Sequence, residues 1–101
     1  MKTDRELLEL AAKASGELTA SWYGNDAYFD GVLSRWNPLN DDGDALRLAV
    51  RLSLLVDVTA FSVTAMVNGV ISAKEKHGDD PRAATRRAIT RAAAAIGEGM
   101  K

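Results

Sequence analysis

The stretch WNPLNDDGDALRLAVRL, residues 36–52, decides how the chain is read. Asn37-Pro38 is a turn dipeptide, because proline presets φ and pushes the residue before it out of the helical region. Asn40, Asp41 and Asp42 are candidate N-caps for a following helix. Asp44 places a carboxylate in the first turn, where unpaired N–H groups favour negative charge. Ala45, Leu46, Ala49, Val50 and Ser53 recur at helical spacing and predict the inward stripe. Arg47 and Arg51 fall one turn apart on the opposite, solvated side. The stretch therefore reads as a chain reversal feeding a capped amphipathic helix. As a calcium loop counted from Asp41 it fails, because the places that need a glycine and a bidentate glutamate hold Leu46 and Leu52. The acidic run is helix-starting chemistry, and no metal is expected.

Upstream, Thr3-Asp4-Arg5-Glu6 matches a capping box. It predicts a helix over 4–15 with Leu7, Leu8, Ala11, Ala12 and Ala14 as its apolar stripe and Gly16 as its stop. Residues 17–35 are weaker in pattern. A short strand is expected over 18–23, a turn at Gly24-Asn25-Asp26, and a second strand over 28–36 interrupted at Gly31. Trp22, Tyr23, Tyr28 and Phe29 crowd this segment. They either close one end of a small core or form an exposed contact loop.

Downstream, 54–60 is β-rich, with Leu54, Val56, Val58 and Ala60 on one face. Asn68-Gly69 between Val67 and Val70 is a two-residue hairpin signal, since both turn residues accept positive φ. It predicts the pairs Val67–Val70, Met66–Ile71, Ala65–Ser72 and Thr64–Ala73. Neither face of the hairpin is strongly polar, so both are expected to be partly covered, by helices or by a second subunit. Residues 74–78 form a charged connector. Asp79 or Asp80 then caps a last helix with Pro81 in its first position, running to about Ile96 and stopped by Gly97. Thr85, Ala88, Ile89, Ala92 and Ile96 share its core side, while Arg86, Arg87, Thr90 and Arg91 share the other. The alanines from 92 to 95 predict close approach to a sheet or another helix.

These elements give one α+β domain spanning 1–101, with three helices packed on a small antiparallel sheet of three to four strands, α-β-α sandwich-like. At 101 residues, 47% hydrophobic and 27% charged, the chain has the composition of a folded domain rather than a disordered one. A formal net charge of −1 gives no global field toward nucleic acid or membrane, so electrostatic recognition must be local. The absence of cysteine excludes disulfides, thiolate catalysis and cysteine zinc sites. No run approaches the roughly 20 apolar residues of a bilayer span, and the charged start has no signal-peptide core, so a cytoplasmic location is expected.

Catalytic constellations are missing from the pattern. His77 beside Asp79 and Asp80 is the sole histidine, which gives neither a histidine-rich zinc site nor a Ser–His–Asp arrangement. It is expected on an exposed connector. No phosphate-cradling glycine loop or dinucleotide fingerprint occurs. The reading is a non-enzymatic protein with no cofactor, no metal and no catalytic residues. Its candidate partner- or anion-binding residues are Arg82, Arg86, Arg87, Arg91 and Trp36. The arginines recur at helical spacing, and their planar forks suit phosphate and carboxylate. The alternative is a solvated helix face with salt bridges to Asp57, Asp79 or Asp30.

Two blocks carry a resemblance. Trp36-Asn37-Pro38-Leu39 runs on through Asp41-Asp42-Gly43-Asp44 to Val50, and Asp80-Pro81 runs on through Arg86-Arg87-Ala88-Ile89 to Ala93. With the opening 6–14, they resemble a family of small phage and prophage proteins of Gram-negative bacteria, to which no activity is assigned. The element order is similar to that of the phage α-β-α (ABA) sandwich group. Residues 17–35 and 55–78 match poorly. The resemblance implies a phage-encoded accessory protein acting in the cytoplasm of a bacterial host cell. Its expected role is to interfere with a host process, as an anti-defence protein that captures a host protein or an anionic small ligand. The alternative is a nucleic-acid-binding phage regulator using the last helix. A homo-oligomer is also expected, because the strand faces offer more apolar surface than three short helices cover.

Overall fold

The chain is described here from a computed structural model, which covers residues 2–16, 19–23, 26–29, 35–67 and 70–100, with the backbone alone at 19–23, 26–29, 35 and 70–72. Three helices stand out: α1 (Asp4–Ser15), α2 (Asp42–Arg51) and α3 (Pro81–Glu98). Among the described residues six strands complete an α+β fold: β1 (Thr19–Tyr23), β2 (Asp26–Phe29), β3 (Arg35–Trp36), β4 (Leu55–Val58), β5 (Ser62–Val67) and β6 (Val70–Lys76). They form two antiparallel three-stranded sheets, ordered β1-β2-β3 and β4-β5-β6. The expected second strand over 28–36 is thus two strands, and the expected turn at Gly24-Asn25 and the break at Gly31 lie outside the described residues.

Helix α3 is the middle layer. Ala84, Ala88 and Ala92 follow one row along it and pack on Val63 and Ala65 of β5 and Ala73 of β6. Ile89 and Ala93 face the other way, into a cluster with Leu8, Ala11 and Ala12 of α1, Ala45, Leu48 and Ala49 of α2, and Trp36. Leu54 and Val56 touch both clusters and join them. The layers therefore run from α1 and α2, through α3, to the β4-β5-β6 sheet. Burial on two sides corrects the one-sided wheel expected for α3. Thr90, expected on the solvated face, is fully buried and donates its hydroxyl to the Arg86 carbonyl at 2.8 Å. Its polar atom is satisfied within its own helix.

Small residues set how close these layers come. Gly97 does not stop α3; the helix continues to Glu98 and is capped at Gly99. A Cβ on Gly97 would sit 2.0 Å from the Leu10 carbonyl oxygen, so glycine is there for the α1–α3 contact. Gly16, at φ +78, ends α1 in the left-handed region, as its position predicts.

The turn ahead of α2 is one hydrogen-bonded unit. Asn37 is buried, its side-chain oxygen accepts from the Leu39 N–H at 3.0 Å, and its carbonyl accepts from Asn40 and Asp41. Asp41 is the N-cap, accepting from the Asp44 N–H at 2.7 Å. The Asp44 carboxylate is buried and accepts from the Asn37 N–H at 2.9 Å. That bond places Asp44 on the inward side of α2. Ala45, Leu48 and Ala49 point inward with Leu52 behind them, whereas Leu46 and Val50, expected in the stripe, are 64% and 70% exposed. Ser53, the last residue of the expected stripe, leaves the helix at φ 56 and is exposed.

In the β5–β6 hairpin, Val67 opposes Val70 and Met66 opposes Ile71 as expected, while the Asn68-Gly69 turn lies outside the described residues. Beyond those two pairs the register departs from expectation, with Ala65 opposing Ala73 and Thr64 opposing Lys74. The extra residue, Ser72, makes a bulge in β6. Without it Ala73 would oppose Thr64 and leave the face that α3 covers. With it, two alanines sit side by side beneath α3.

Candidate functional site

The four arginines of α3 have four different fates. Arg86 is 17% exposed at its side chain and is used internally: its Nε donates to the Leu39 carbonyl at 2.9 Å and its Nη1 to Asp42 Oδ1 at 2.7 Å. It ties α3 to the start of α2. Arg82 is exposed in the first turn of α3 and has no ion pair among the described residues. Arg87 pairs with Asp4 of α1 at 3.2 Å, and Arg91 pairs with Glu75 of β6 and donates to the Lys74 carbonyl. The partners expected from the sequence, Asp57, Asp79 and Asp30, are not the ones used by these three pairs. Trp36 is not a surface contact either. At 6% exposure it belongs to the core between α1, α2 and α3.

Arg87 and Arg91 open onto the same groove, which encloses about 490 Å³. One face of α3 supplies Arg87, Arg91, Ala94, Ala95 and Glu98, successive turns of the helix. Leu7 of α1, Glu75 of β6 and Lys2 complete its walls. Lys2 reaches Glu98 at 2.5 Å. The groove is thus a band of three cations, each already holding a carboxylate, beside a small apolar patch of Leu7, Ala94 and Ala95. Five of these six charged side chains are more than a third exposed, Glu75 being the exception. Exposed pairs of this kind contribute only about 0.2–1 kcal/mol each. The carboxylates screen the cations without locking them away.

Lys2, Asp4, Glu75 and Glu98 carry no signal in the sequence that singles them out. Asp4 reads as a first-turn helix acid and Glu75 as part of a charged connector, and only the fold brings them to α3. His77, expected on an exposed connector, is half-buried, and its Nε2 is buried with no hydrogen-bond partner among the described residues. Its backbone N–H donates to the Phe61 carbonyl at 3.1 Å, so β6 is tied to the β4–β5 turn there. The acidic run at 41–44 is absorbed by helix capping, by Arg86 and by the Asn37 turn. Among the described residues no helix is long and apolar enough to cross a membrane. No protein-family model, curated protein or solved structure matches the chain.

Proposed function

We propose that the protein is a non-enzymatic accessory binding protein that captures an anionic ligand, or an acidic part of a host protein, in the groove along α3. The observation that carries this reading is the convergence of Arg87, Arg91 and Lys2 on one groove of about 490 Å³. A pocket of that size suits a small molecule or a short protein segment. The resemblance of the two sequence blocks to phage and prophage proteins supports a phage-encoded protein that acts in the cytoplasm of its bacterial host as an anti-defence factor. The same reading includes a homo-oligomer.

The nucleic-acid alternative draws less support from the geometry. A phosphate-backbone track needs several free cations in a row. Here Arg86 is turned inward, which breaks the row of cations along α3 and leaves only the short cluster in the groove.

The test is a plating assay on bacterial hosts that each carry one restriction or abortive-infection system. The protein is expected to restore plating of a sensitive phage on at least one host, and the Arg87→Glu/Arg91→Glu variant to lose that effect while still accumulating in folded form. No restoration on any host, or restoration that survives the charge reversal, overturns the proposal.

A further inference from the structure

Every cation in the groove already has a carboxylate, and that fact constrains what can displace it. A ligand bearing a single carboxylate only exchanges one such partner for another. A phosphate monoester carries nearly twice the charge at neutral pH and three strong acceptor oxygens on one atom. Arg87 and Arg91 stand one helical turn apart, where side chains on the same face are neighbours. One phosphoryl group can therefore bridge both guanidinium forks, which neither Asp4 nor Glu75 does, since each pairs with one arginine. Arginine at both positions adds the planar, two-point donor geometry that matches phosphate oxygens.

The rest of the groove describes the remainder of the ligand. Its volume of about 490 Å³ far exceeds a bare phosphate. Next to the arginines, exposed Ala95, with the nearly buried Leu7 and Ala94 beneath it, makes a low apolar floor without a bulky side chain on the α3 side. At the far end, the Lys2–Glu98 pair offers a donor and an acceptor to ligand hydroxyl or amino groups. Toward the start of α3 the basic row is broken at Arg86, which is spent on Leu39 and Asp42, and Arg82 beyond it does not line the groove. The site is short, which suits a small ester rather than a chain of phosphates.

We propose that the groove binds a small organic phosphate monoester, its phosphoryl group bridging Arg87 and Arg91 in place of Asp4 and Glu75, and its body lying over Ala95 toward Lys2 and Glu98. This rests on the reading of the α3 groove as an anion site and names the ligand class for it. Displacement is the central feature: Asp4 and Glu75 are resident stand-ins for the ligand's own charge.

Arginine side-chain and backbone amide NMR on the whole chain tests it, with adenosine 5′-monophosphate, inorganic phosphate, adenosine and succinate as probes. Adenosine 5′-monophosphate is expected to shift the Arg87 and Arg91 Nε–H signals together with the Ala94 and Ala95 amides, and to bind more tightly than inorganic phosphate. Adenosine is expected to shift them little, and succinate, whose two carboxylates only replace the two already present, to bind more weakly than adenosine 5′-monophosphate. Affinity should fall about tenfold or more in Arg87→Gln/Arg91→Gln, where two charge-assisted contacts are lost. It should stay unchanged in Arg82→Gln and rise in Asp4→Asn, which removes a competitor. Saturable binding of succinate or an acidic peptide at Arg87 and Arg91, without binding of the phosphate ester, overturns the ligand class but leaves the anion groove standing. No shift at these arginines from any anion overturns both. Equal binding by the Arg87→Gln/Arg91→Gln variant, with its fold shown intact by its amide spectrum, places the ligand elsewhere and also overturns the proposal.

Discussion

The carbonyl of Leu10 in α1 lies so close to Gly97 in α3 that a Cβ on the glycine would fall 2.0 Å from the oxygen and 2.9 Å from its carbon. Both obstructing atoms are backbone, so neither can rotate away. Gly97→Ala must push the helices apart or bend one of them, and the cluster of Leu8, Ala11, Ala12, Ile89 and Ala93 loosens with it. The expected loss is about 3 kcal/mol or more, at the upper end of overpacking costs. Gly99 is the internal comparison. It sits at φ −80 with its nearest Cβ contact at 3.6 Å, so Gly99→Ala should be neutral or stabilising by up to about 1 kcal/mol. Urea denaturation of both variants checks this, and equal midpoints for the two would show the close approach to be unimportant.

Arg86 and Arg82 lie four residues apart on α3 and should respond in opposite ways to truncation. Arg86→Ala strips the Leu39 carbonyl and Asp42 of their donor at a site 17% exposed, with an expected cost of about 1–3 kcal/mol. Arg86→Lys should recover little of it, because one ammonium does not reproduce the Nε and Nη1 donors of the fork. Arg82→Ala should stay within about 0.5 kcal/mol. Thermal melts decide the matter: a normal melting temperature for Arg86→Ala would remove the tie between α3 and the start of α2.

The contrast between these arginines shows what the sequence could disclose. Helical spacing placed all four on α3, and capping chemistry located the helix starts at Thr3, at Asp41 among the candidates, and at Asp80. Local rules suffice there because the interacting groups are within four residues of one another. They do not reach the pairing of Asp4 with Arg87, 83 residues on, and so the groove was invisible. The same limit hid which side of α2 faces inward. Leu46, Leu48, Val50 and Leu52 alternate, so several helical stripes look equally apolar, and the contacts that select among them, such as the buried Asp44–Asn37 bond and the Arg86–Asp42 tie, come from the fold. Gly97 is ambiguous in the sequence for a related reason. A glycine near a helix end is consistent with a stop and with a close crossing, and the choice depends on what packs against it.

Acid should weaken the start of α1. The Glu6 carboxylate accepts from the Thr3 backbone N–H at 3.1 Å, with the Thr3 hydroxyl beside it, and these contacts hold its pKa below the ordinary glutamate range. A carboxyl whose pKa is lowered on folding adds stability above its unfolded value and loses it as pH falls through its folded value. Glu6→Gln should therefore be less stable than the parent at neutral pH, and the gap should close in acid. Thr3→Ala should raise the Glu6 pKa, as followed by carboxyl carbon shifts. A stability gap independent of pH would contradict the capping box as the source.

Strand β4 is the surface through which copies of the chain are expected to associate. It is an edge of the β4-β5-β6 sheet, so one side of its backbone is unpaired within that sheet. Two of its three exposed residues are apolar: Leu55 and Val58, either side of Asp57, are both more than half exposed, and Phe61 in the following turn is 84% exposed. A lysine on an edge strand opposes pairing with another strand. Leu55→Lys or Val58→Lys should therefore shift the protein to monomer and leave it folded, with a melting temperature that no longer depends on concentration, since neither side chain is buried. Light scattering across a range of concentrations measures this. The comparison is Val50→Glu on the outward face of α2, which should leave the assembly intact. Dissociation by Val50→Glu alone would move the interface to α2, and a monomer at every concentration in the parent would remove it.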